Sequence, residues 1–97
     1  MKPLPLVPEL LDLAPRIIWF EEPQQALANS VRFLAYLMTY GTPEDLAVVR
    51  KHVTDADFLA ALDAAPAGIM DARSWAYWNA MAGRYPTPPM PQRTFSA

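Results

Sequence analysis

Between Asn29 and Gly41 apolar residues recur at helical spacing: Val31, Leu34 and Met38 share a line, and Phe33, Ala35 and Leu37 widen it. Arg32, Tyr36, Thr39 and Tyr40 fall on the opposite stripe. This pattern predicts the central buried helix, closed by Gly41 in a left-handed conformation. A second helix starts at Thr42-Pro43-Glu44-Asp45: Thr42 can cap, Pro43 suits the first helical position, and two acids face the positive helix end. Its inward line is Leu46, Val49 and Val53, with Arg50, Lys51 and His52 in the last turn, where the dipole favours positive charge. Thr54-Asp55-Ala56-Asp57 repeats the capping pattern, and Phe58, Leu59 and Leu62 are expected to pack inward before Pro66 and Gly68 break the run. A fourth helix runs from Ala72 to about Ala82, capped by Asp71 and closed by Gly83. Trp75, Trp78 and Ala82 face inward with Met81 beside them, and Arg73, Tyr77 and Ala80 form a second stripe.

Proline divides the chain. Pro3, Pro5, Pro8 and Pro15 cluster at one end and Pro86, Pro88, Pro89 and Pro91 at the other. Both ends are therefore expected to be extended arms, the second polyproline-II-like. Glu9 to Ala14 and Pro23 to Ala28 read as single short helical turns, Ile17-Ile18-Trp19-Phe20 as an extended stretch, and no segment sustains strand alternation. The expected architecture is all-α, a compact bundle of about four short helices. A Pro-rich arm over 1–15 precedes a helical domain over 16–84, and a second Pro-rich arm covers 85–97.

Composition narrows the function. The 97 residues contain no cysteine, which excludes disulfides, zinc–thiolate sites, iron–sulfur clusters and thiol catalysis and fits a cytoplasmic protein. The longest uncharged stretch, Phe33 to Pro43, is far short of a membrane span, and the early prolines break any signal-peptide core. Catalytic chemistry lacks its parts. His52, the only histidine, lies beside Arg50 and Lys51 and reads as an exposed, dipole-complementing residue. Ser30, Ser74 and Ser96 sit in no Gly-x-Ser-x-Gly turn, and Gly41, Gly68 and Gly83 are too scattered to build a phosphate loop. Asp55-Ala56-Asp57 has the spacing of a magnesium pair, but acids in the first turn of a capped helix account for both residues. His52 with Asp55 makes only two ligands of a metal site. No catalytic, cofactor-binding or metal-ligating residue is assigned, and an enzyme is not expected.

Charge and aromatic placement point to a protein partner. The formal net charge is −2, and from Glu21 to Asp71 eight acids stand against Arg32, Arg50 and Lys51. That excess opposes DNA binding, even though short helices joined by tight turns suit a helix-turn-helix. The helix after Thr54 has no base, and the one after Asp71 offers only Arg73 and Asn79. Beyond Asp71 the acids vanish, leaving a basic aromatic tail with Arg84, Tyr85, Met90, Arg93 and Phe95. Such an arm can lie on a partner or fold back over its own core. Trp75 and Trp78 read as core, whereas Trp19 beside Phe20 is an interface candidate.

Several of these segments together resemble a known group. They are Ile17-Ile18-Trp19-Phe20-Glu21, Arg32-Phe33-Leu34-Ala35-Tyr36, Met38-Thr39-Tyr40-Gly41-Thr42-Pro43-Glu44-Asp45, Gly68-Ile69-Met70-Asp71, Arg73-Ser74-Trp75 and Tyr77-Trp78-Asn79. As a set, across residues 16–95, they resemble small bacterial proteins found beside AbiEii-type nucleotidyltransferase toxins and presumed to be their antitoxins. The resemblance implies a proteinaceous antitoxin that binds and neutralises such a toxin. It carries over no functional residue position by position. From the residues themselves, the partner-contact candidates are Trp19, Phe20, Glu21, Glu22, Tyr36, Tyr40, Arg73, Tyr77, Arg84, Tyr85, Met90, Arg93 and Phe95. Acids such as Glu44, Asp45, Asp55 and Asp57 suit the basic cleft of an enzyme that holds a triphosphate and an RNA acceptor. The alternatives are a small DNA-binding regulator and a non-catalytic adaptor of an unrelated enzyme. Self-association is left open.

Overall fold

The computed structural model describes residues 2–91, and the fold is all-α. Six helices follow one another: α1 (Pro8–Ile17), α2 (Pro23–Ala28), α3 (Ser30–Tyr40), α4 (Pro43–Val49), α5 (Asp55–Asp63) and α6 (Ala72–Met81). The described residues contain no strand. The helix predicted to be central is α3, which touches α1, α2, α5 and α6. Phe33, Leu34, Ala35 and Leu37 on it are fully buried. Met38 is buried with them, so the expected face is the buried one except at Val31, which lies half-exposed at the rim.

The N-terminal segment departs most from its prediction as an extended arm. Only the residues up to Val7 are extended, and Leu4 N–H donates to Leu27 O at 3.0 Å while its side chain enters the core. From Pro8 the chain is a ten-residue helix. Pro8 occupies the first turn, where its missing N–H costs nothing, and Pro15 stands in the last turn. Leu10, Leu13, Ala14 and Ile17, spaced for one face, are all buried, and their burial offsets the proline in the ladder. Ile17 and Ile18 are core residues at the helix end, not an extended stretch, and Trp19-Phe20 forms the turn into α2.

The capping patterns appear where the sequence places them. Thr42 and Asp45 exchange hydrogen bonds with each other's backbone, as do Thr54 and Asp57, so both helix starts are full capping boxes. Asp71 accepts from Ser74 N at 2.7 Å. This bond, reinforced by the nearby Arg73, holds the Asp71 carboxyl below the usual range. Gly41 is not left-handed: its φ is −73°, and the chain leaves α3 extended. A glycine is required there for space, because a Cβ would come within 2.7 Å of both the Leu37 carbonyl oxygen and Leu37 Cδ1. Gly83, at φ 79°, does end α6 in the left-handed region, and Gly68 adopts φ 87° in the preceding loop.

Three inward lines are corrected. Leu46 is only half-buried on α4, and Leu59 on α5 lies on the surface. On α6 the buried line is Trp75, Trp78 and Asn79, while Met81 and Ala82 are exposed, because the helix ends and turns away at Ala82. Asn79 is fully buried; its side-chain Nδ2 donates to Trp75 O, its backbone carbonyl accepts from Arg84 N, and its side-chain Oδ1 has no hydrogen-bond partner among the described residues. No helix is long and apolar enough to cross a membrane among the described residues.

Candidate partner interface

The turn between α1 and α2 and the outer face of α3 bring four aromatic rings into a row. Trp19 meets Phe20 edge to face at 5.6 Å, Phe20 meets Tyr36 at 6.1 Å, and Tyr36 stacks on Tyr40 at 6.1 Å. Tyr36 and Tyr40 are four residues apart and therefore neighbours on the helix surface. The turn is tied to α3 from below, where Arg32, one helical turn before Tyr36, donates through Nη2 to Glu21 Oε1. Residues far apart in sequence thus form one continuous surface.

This row is open to solvent. Trp19 is 81% exposed, Phe20 54% and Tyr40 63%, and Tyr36 is half-buried. The fold gains little from rings in such positions, and exposed apolar area of this kind marks interaction surfaces. Glu22, next to Glu21 in the chain, is exposed and has no cationic partner among the described residues.

A second set of candidates lies across the molecule's other helices. Arg73 and Tyr77 on α6 line a shallow depression with Gly41, Pro43 and Leu46, and Tyr77 packs edge to face on Trp78 at 5.5 Å. Nearby, a groove of about 290 Å³ is lined by buried Met38, Phe58, Leu62 and Trp78, with Leu59 and Met81 exposed. Phe58 and Trp78 stack at 5.5 Å, and the Arg50 guanidinium sits 5.1 Å from the Phe58 ring centre. Arg50 also pairs with Asp55 at 2.7 Å, so Asp55 is part of an ion pair at the start of α5. In the sequence the groove residues carry the marks of core positions or of charged helix ends. Their shared opening depends on the angle between helices, for which periodicity carries no signal.

The tail lies back on its own domain as far as the structure describes it. Trp75 Nε1 donates to Pro88 O at 2.7 Å, and the half-buried Met90 packs against the core. Arg84 pairs with Asp63, which raises the guanidinium pKa and holds the carboxyl below its usual range. Tyr85 remains almost wholly exposed. Arg93 and Phe95 lie outside the described residues.

His52 is not the exposed residue its neighbours suggested. It lies just beyond α4, half-buried, with Nε2 2.5 Å from Glu9 Oε1 on α1, and Lys51 Nζ reaches Glu9 Oε2 at 3.3 Å. Glu9 is held below the usual carboxylate range by the hydrogen bond from His52 first and that from Lys51 second. The trio is a clamp between α1 and the α4–α5 turn. The described residues hold no cluster of three or more His, Cys, Asp or Glu side chains able to bind a metal ion.

In comparisons with protein-family models, curated proteins and solved structures, nothing matches this chain.

Proposed function

We propose that this chain is a non-catalytic, antitoxin-like protein of the cytoplasm that binds and neutralises a nucleotidyltransferase toxin by protein–protein contact. The observation that carries the reading is the exposed aromatic row Trp19–Phe20–Tyr36–Tyr40. Rings of this type are enriched among the few residues that supply most of an interface's binding energy. The segments that resemble presumed antitoxins supply the identity of the partner. Electrostatics supports a protein over a nucleic acid. Arg16, Arg32, Arg50, Lys51 and Arg84 each pair with a carboxylate of the chain itself, which leaves few cations for phosphates.

The test is recovery of the tagged protein from its native host, followed by an inhibition assay. A stoichiometric nucleotidyltransferase in the eluate, silenced by equimolar protein, is the expected result. A nucleotidyltransferase neighbour that stays fully active with this protein in excess overturns the reading.

A further inference from the structure

We propose that the aromatic row, with Glu22 beside it, is a docking surface for an arginine-bearing segment of a partner protein. The inference rests on the protein-binding reading above and adds the chemistry of what is bound. Besides apolar surfaces of other proteins, exposed aromatic rows take unstacked bases, which lie on ring faces, and cationic side chains, which are drawn to the negative faces of the rings. The charges around this row separate them. Single-stranded nucleic acid needs cations beside the rings to hold its phosphates. Here Arg32 is consumed by Glu21 and Arg16, three residues before Trp19, by Asp45, whereas Glu22, two residues after Phe20, is an exposed carboxylate with no cation paired to it among the described residues.

A guanidinium satisfies both features at once. Its plane stacks on an aromatic face, and its fork of N–H donors pairs with a carboxylate. Trp19 is the most exposed ring of the row, and indole is the strongest of the aromatic faces for a cation. Phe20, Tyr36 and Tyr40 extend the row beyond Trp19 by three further ring spacings of 5.6, 6.1 and 6.1 Å, enough for more than one side chain of a basic segment. The Glu21–Arg32 pair serves the site by fixing the turn against α3, so that the platform exists before the partner arrives.

The experiment uses the full chain and a blocked Gly-Arg-Gly-Arg-Gly peptide, with the same peptide carrying citrulline for arginine as control. Binding is followed through the three tryptophan indole N–H resonances at low salt, assigned from single Trp→Phe variants. The arginine peptide is expected to shift the Trp19 resonance with a dissociation constant of about millimolar, as suits an exposed contact, and to leave the Trp75 and Trp78 resonances in place. Glu22→Gln should weaken binding about threefold to fivefold, and the citrulline peptide should lose it. Trp19→Ala should abolish binding while the far-ultraviolet circular dichroism stays unchanged.

Four results overturn the inference: an equal response to the citrulline peptide, tighter binding of hexauridylate than of the arginine peptide, a Trp19 shift that follows protein concentration without peptide, or undiminished toxin inhibition by Trp19→Ala. Because the peptide titration contains no toxin, a failure of toxin inhibition with an intact peptide response rejects the antitoxin reading alone.

Discussion

Trp78→Phe isolates one buried hydrogen bond that closes the central helix. The last carbonyls of a helix have no partner within it. At the end of α3, the Leu37 carbonyl is satisfied by Gly41 N–H, whereas Thr42 N–H, the next donor in line, is taken by the Asp45 side chain. The Met38 carbonyl is instead met by Trp78 Nε1 at 2.9 Å, from a residue forty positions away and in a buried setting. Phenylalanine removes the donor and leaves that carbonyl dry, at a cost of about 1–3 kcal/mol. It also gives up part of the stacked contact with Phe58, about 1 kcal/mol more. The sum, about 2–4 kcal/mol, corresponds to a fall in Tm of roughly 10–20 °C for a domain of this length. Urea unfolding followed by circular dichroism measures it, with Trp19→Phe as a control expected to stay within about 0.5 kcal/mol. A Trp78→Phe loss no larger than that of the control refutes the capping role of the indole.

Other perturbations test separate parts of the structure. Gly41→Ala forces a methyl group against the Leu37 carbonyl and should cost about 1–3 kcal/mol in the same urea assay, although the backbone there is compatible with alanine. Trp19→Ala should leave stability unchanged and weaken binding of the proposed toxin partner by about 2 kcal/mol, roughly thirtyfold in a calorimetric titration. Acid should destabilise the fold through Glu9, Asp63 and Asp71, whose folded pKa values are depressed. The stability they contribute is present above the ordinary carboxylate pKa and is lost as pH falls through the folded values. Unfolding midpoints measured from pH 6 downward should therefore drop below about pH 4.5, and less steeply in Glu9→Gln.

The helices easiest to read in the sequence were those whose start signals are local. Thr42, Thr54 and Asp71 reach backbone groups three residues ahead, so their hydrogen bonds are decided by spacing alone. The N-terminal helix was obscured by its prolines, although Leu10, Leu13, Ala14 and Ile17 already stand at helical intervals. Proline at either end of a helix is tolerated, so the positions of Pro8 and Pro15 matter more than the number of prolines in the segment. Of the interface candidates, Trp19, Phe20, Tyr36 and Tyr40 were each legible from their places outside the apolar stripes. Their union into one row was not, since it depends on how the α1–α2 turn folds over α3.

Caps and periodicity act within a few residues, so the helical class, the capped starts of α4, α5 and α6, and α3 as the central element follow from local order along the chain. The pairing of His52 with Glu9, the indole cap on Met38, the return of the tail through Pro88 and the aromatic surface arise only once the helices have packed. Each joins groups that only chain folding brings together, and their distances follow from how helix faces pack rather than from intervals along the chain.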